Sequence, residues 1–157
     1  MDILTVSFFG HREISNLFQA ERRVECLLRK LLNEKEYVEI LIGREGEFDQ
    51  VVSSTVRRMW IEIGKHNSEL NWVLPYPMAE YDRNKESFDK YYSNVELCIE
   101  AANAYPKAAI QIRNRRMVDR SELVVFYVEH NAGGAYQTMK YAMKQGKSII
   151  NLVQIDD

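Results

Sequence analysis

The feature that most limits what this chain can fold into is the alternation of short apolar runs with amphipathic helical segments. Residues 3–9 (ILTVSFF) are mostly β-branched, aromatic or otherwise apolar and stop at Gly10, the pattern of a buried strand. Ser15 is then placed to cap a helix over about residues 16–33, where Val24, Leu27, Leu28, Leu31 and Leu32 recur at helical spacing. Residues 38–42 (VEILI) read as a second strand ended by Gly43. A second helix follows over about residues 48–66 through Val51, Val52, Val56, Met59, Trp60 and Ile63. The segment NWVLPYP reads as a third strand closed by Pro75 and Pro77. Residues 78–106 are the least periodic, with a short helix near 85–92 and a short strand near 95–99. A helix over about residues 106–119 with Pro106 in its first turn, a strand at 122–128, a helix to about Gln145 stopped by Gly146, and a last strand SIINLV complete the order. Strands alternating with helices predict an α/β fold: a single Rossmann-like domain over residues 1–157, mainly parallel sheet with helices on both faces.

A formal net charge of −2 supplies no long-range positive field. Small ligands or protein partners are therefore expected, the small molecule being nucleotide-like on the loop side chains below, with no membrane and no non-specific nucleic-acid binding, and a homodimer is possible through exposed helix positions such as Met59 and Trp60. Cys26 and Cys98 lack CxxC spacing or a neighbouring His, so they read as buried, inert thiols, and neither a metal nor a cofactor is expected. The start MDILTVSFFG carries an acidic residue and only a short apolar run, unlike a signal peptide. No stretch approaches the roughly 20 apolar residues of a bilayer span, so a cytoplasmic setting is expected.

In a parallel sheet the loops that leave strand carboxyl ends gather at one rim. Three such loops carry glycine: GHREIS from Gly10, GREGEFD from Gly43 and HNAGGAY from His130. Each is either a tight turn or a seat where helix-start N–H groups meet a phosphate, since glycine lets a ligand approach the backbone closely. Arg12 and Arg44 can pair with phosphate, and His11 and His130 can donate to it. Glu45, Glu47 and Asp49 can accept from ribose hydroxyls or a base. No GxxxxGK[ST] or GxGxxG fingerprint is present. Arg113, Asn114, Arg115 and Arg116 read as crowding a helix end, where the arginine cations are favourable, Asp119 as remote from the rim, and His66 as a surface or capping residue. Tyr81, Tyr91 and Tyr92 read as packing or as an aromatic lid.

FFGHR, GREGEFD, RNRRMVDRSELVVFYV and GGAYQTMKYAMKQGKSIINL, in this order, resemble the YpsA-like branch of the SLOG superfamily, a Rossmann-like group related to the LOG and Smf/DprA proteins. The resemblance implies a bacterial or phage-related protein that senses or processes a nucleotide-related ligand. It places the ligand on Gly10, His11 and Arg12; on Gly43, Glu45, Gly46, Phe48 and Asp49; on Arg113, Asn114 and Asp119; and on Gly133, Gly134 and Thr138. The LOG-type loop has a glutamate after its glycines, where this chain has AGGAYQTMK, and the related deoxyribosyltransferases would place a nucleophilic glutamate about where Thr138 stands. Cleaving an N-glycosidic bond needs a carboxylate to stabilise the charge growing at the anomeric carbon. The expected activity is thus binding without cleavage. The alternatives are an N-glycoside hydrolase using Glu45 or Asp49 as the catalytic carboxylate, or a protein-interaction module with a vestigial pocket.

Overall fold

The computed structural model describes residues 2–64 and 67–155, so the reading of His66 falls outside the described residues. The strands are β1 (Ile3–Gly10), β2 (Tyr37–Ile42), β3 (Ser68–Leu74), β4 (Asn94–Leu97), β5 (Leu123–Tyr127) and β6 (Ser148–Asn151). They form one six-stranded sheet in the order β4-β3-β2-β1-β5-β6, and every pairing in it is parallel. The helices are α1 (Leu17–Glu34), α2 (Glu47–Ile63), α3 (Ala79–Arg83), α4 (Lys85–Tyr91), α5 (Pro106–Arg120) and α6 (Gly134–Lys144). The expected Rossmann-like α/β architecture is the one observed.

Strand residues alternate faces, so β1 feeds two cores. Leu4, Val6 and Phe8 pack with Val24 and Leu28 of α1 and Val52 and Met59 of α2, whereas Phe9 joins Ala109 and Met117 of α5 and Ala142 of α6. Both faces being covered explains why the central strands are near-continuous apolar runs. From β1 the chain proceeds outward through β2, β3 and β4, then crosses back to β5 on the other side of β1. This reversal opens a crevice beyond the carboxyl ends of β1 and β5, flanked by α1 on one face and α6 on the other.

Several sequence expectations are corrected. Asn16, not Ser15, caps α1: its Oδ1 accepts from Gln19 N at 3.0 Å, while Ser15 donates through backbone N–H and hydroxyl to Glu129. The second helix ends at Ile63, β3 starts earlier, at Ser68, though it stops at Leu74 before Pro75 as expected, and the irregular segment contains the additional helix α3. Because α5 continues to Arg120, Arg113 and Asn114 lie inside the helix and are buried, not at its end. Met59 is fully buried and Trp60 half-buried, with Trp60 Nε1 donating to Ser68 Oγ at 2.8 Å, so neither offers the exposed dimer surface expected of it. Cys98 is buried but Cys26 is exposed. Tyr92 is packed against Trp72 with ring centroids 5.4 Å apart, beside Phe88 and Tyr81. No described helix is long and apolar enough to cross a membrane.

Candidate functional site

The three glycine loops converge on one cleft of about 560 Å³, within the usual range for small-molecule sites. Gly10, His11 and Arg12 line it from the loop after β1; Gly43, Glu45, Gly46 and Asp49 from the loop and helix start after β2; and His130, Gly133 and Gly134 from the loop after β5. Arg113 and Asn114 complete its floor from α5. Arg44 is not there. Its Nη1 bonds Glu80 at 2.9 Å, and its guanidinium lies 4.9 Å from the Phe88 ring centre, in a separate cleft of about 520 Å³ beside Tyr91 and Tyr92. Thr138 is also outside the cleft. It is buried beneath it, donating to Gly134 O at 3.0 Å and accepting from Asn114 Nδ2 at 3.1 Å, a strut between α5 and α6. Tyr141 donates to Asp119, which Arg116 also pairs with, away from the cleft lining.

The first two loops are sewn together. Glu47 N donates to Arg12 O at 2.8 Å, and Ile14 N donates to Glu47 Oε1 at 2.9 Å. Two glycines permit that approach: a Cβ on Gly46 would lie 2.4 Å from Arg12 Cα, and one on Gly10 would lie 2.4 Å from the Phe48 ring. The third loop is tied to the first through His11. Its Nε2 accepts from Glu129 N at 3.0 Å, which requires that nitrogen to be unprotonated and leaves the proton on Nδ1. The His11 and His130 rings stack with centroids 3.8 Å apart. Burial lowers the His11 pKa, and the neighbouring His130 lowers it further against an opposing pull from Glu129, so the neutral acceptor form is favoured.

A buried ionic cluster forms the floor. Arg113, 2% exposed, donates to both Glu45 oxygens, to Val73 O at 2.9 Å and to Asn114 Oδ1 at 3.0 Å. Gly43 makes room for it, since a Cβ there would stand 2.6 Å from Glu45 Oε1. Burial alone would raise the Glu45 carboxyl, but the charge and hydrogen bonds of Arg113 outweigh it and hold Glu45 below its ordinary value. Asp49 moves the other way. Burial and the Glu45 charge push it up to about 7, against the pull of Arg113 and of the Glu45 and Gly46 backbone N–H groups that it accepts.

The two helix starts at the rim therefore differ. Neither has a side-chain N-cap, but the entry to α2 is filled: Asp49 accepts from the Glu45 and Gly46 backbone N–H groups and Arg12 O from Glu47 N, whereas α6 follows its N-cap Gly133 with open space beside it. Gly133 has φ +90 and ψ 177, a conformation close to glycine-only, and open space where a Cβ would be. Orphan N–H groups and the helix dipole there favour an anion. Sequence reasoning missed the wall beside this start, Lys107, Ile110 and Gln111 of α5, whose signal is their i, i+3, i+4 spacing on one helix face.

No family model and no curated protein matches the chain. Among solved structures it is similar to DNA processing protein A from Helicobacter pylori, with 15% identity and a TM-score of 0.63 over 93% of this chain. What the two share is the fold. The match covers 63% of that longer chain. The similar protein is described by its single-stranded DNA binding mode, which overturns the expectation that a chain of this kind avoids non-specific nucleic-acid binding. The physical reason is that a net charge of −2 sums the whole surface, while Arg12 and Lys107 at the cleft act locally.

Proposed function

We propose that the cleft binds a nucleotide or nucleotide-derived ligand, its phosphate on the first turn of α6 and its sugar or base toward Asp49, as a YpsA-like sensor of the SLOG type. The observation that carries this reading is the inequality of the two helix starts: the N–H groups leading into α2 are taken by Asp49 and by Arg12 O, whereas α6 starts beside open space at Gly133. An anion at α2 would meet the Asp49 and Glu45 carboxyls, whereas at α6 it meets N–H groups and open space beside Gly133. Binding is favoured over cleavage because both Glu45 oxygens are engaged by Arg113 and a threonine stands after the glycines where a carboxylate would act. The likeness to DNA processing protein A favours a second reading, in which the nucleotide is one unit of a single DNA strand.

The test is proton NMR of pooled nucleoside monophosphates, nucleosides and a short single-stranded oligodeoxynucleotide with the protein. Selective broadening of the monophosphates supports the first reading, and broadening of the oligonucleotide alone supports the second. Growth of free-base signals would make the protein an N-glycoside hydrolase, and no change in any spectrum contradicts a nucleotide site.

A further inference from the structure

The wall of the cleft that carries no glycine is α5. Lys107, Ile110 and Gln111 face the cleft from its first turns, while Ala109 and Arg113 of the same helix are buried. Gln111 reaches the start of α6: a Cβ added to Gly134 would lie 3.1 Å from Gln111 Nε2. Among the described residues, neither end of the Gln111 amide has a hydrogen-bond partner in the protein, although the side chain is half-buried in the cleft wall. Lys107, one turn earlier and exposed, has no carboxylate in ion-pair range among the described residues. Of the other arginines lining the cleft, Arg113 is committed to Glu45, and Arg12 stands on the loop after β1. The side of the cleft near Gln111 thus offers an exposed ammonium and an unspent amide N–H₂ group, two donors suited to phosphate oxygens.

We propose that Lys107 and Gln111 form a side-chain clamp for the ligand's phosphate, so that α5 sets the preference for phosphorylated over unphosphorylated nucleosides. The proposal rests on reading the cleft as a nucleotide site. Glutamine and glutamate are nearly isosteric, so Gln111→Glu replaces the N–H₂ donor by an oxygen and places a like charge beside the phosphate without opening a void. Lys107→Gln removes a charge while keeping much of the side-chain length.

The probes are the four ribonucleoside 5′-monophosphates and their four nucleosides, titrated separately by NMR line broadening at several salt concentrations. Gln111→Glu is expected to weaken the monophosphates about tenfold, which is roughly 1.4 kcal/mol. Nucleoside binding should be unchanged. Lys107→Gln should weaken the monophosphates about threefold and flatten their salt dependence, because an exposed charge acts through a screened field. A wild type that binds no monophosphate overturns the nucleotide reading and the clamp with it. A wild type that prefers monophosphates, with both variants keeping its phosphate preference and salt slope, overturns the clamp alone; equal loss of nucleosides and monophosphates does so as well.

Discussion

Replacing Arg113 by methionine should be among the costliest changes available to this chain. The side chain is 2% exposed and supplies donors to Glu45, Val73 O and Asn114 Oδ1, so the variant leaves a buried carboxylate and two other acceptors without their partner. Removing one member of a buried ion pair costs about 3–5 kcal/mol. The Glu45 side chain is 20% exposed, so water can reach it in part, and the low end, roughly 3 kcal/mol, is expected. For a chain of this size that lowers Tm by roughly 6–12 °C. Adding Glu45→Gln removes the stranded charge, so the double variant should be less destabilised than the two single losses summed. The pH dependence fixes the sign independently. Glu45 is depressed in the folded protein, so its contribution is present above the unfolded carboxyl pKa and is lost as pH falls through the folded value. The gap between wild type and Arg113→Met should therefore narrow on acidification. Urea unfolding at pH 7 and pH 4 measures both quantities; a loss below about 1 kcal/mol at pH 7, or additive single variants, would refute the buried-pair account.

Asp49 gives the opposite pH signature. Its folded value of about 7 exceeds the unfolded carboxylate value, so its stabilising contribution is full at acid pH and is lost as pH rises through about 7. Asp49→Asn should abolish that decline in a stability-versus-pH series, and an unchanged slope would contradict the assignment. Gly46→Ala drives a Cβ to 2.4 Å from Arg12 Cα, backbone that cannot swing aside, and should cost about 1–3 kcal/mol in chemical denaturation while separating the first two loops. Gly133→Ala meets no atom but forces an unfavourable φ of +90, so a similar cost of about 1–3 kcal/mol should come with a displaced start of α6; a neutral effect on both stability and the α6 amide shifts would count against it.

The layer order was legible because β1, β2 and β5 are largely buried and read as near-continuous apolar runs, interrupted by Thr5, Ser7 and Glu39 and bounded by glycine or polar residues. The convergence of the glycine loops followed from parallel topology. Arg113 was misread because Asn114, Arg115 and Arg116 beside it look like a solvated charge run. The contrary signal was periodic: Ala109, Arg113 and Met117 are four residues apart and share the buried stripe of α5. Arg44 and Glu45 were grouped as neighbours, yet their side chains enter different clefts, which loop residues adjacent in sequence are free to do. Asp49 was legible as a carboxyl at the rim, but its occupation of the α2 start depends on the backbone geometry of Glu45 and Gly46. Lys107 and Gln111 escaped notice because nothing local marks a helix face as a cleft wall until α5 is laid across the sheet.

The most direct test of the central claim is an amide ¹H–¹⁵N titration with the nucleoside monophosphate that binds in the pooled experiment. Saturable shifts at Gly134 and Ala135, with Glu47 and Phe48 little changed, are the expected result, since the N–H groups leading into α2 already bond Asp49 and Arg12 O while the start of α6 faces open space. Shifts concentrated at Glu47 and Phe48, or none at either helix start, would contradict the account.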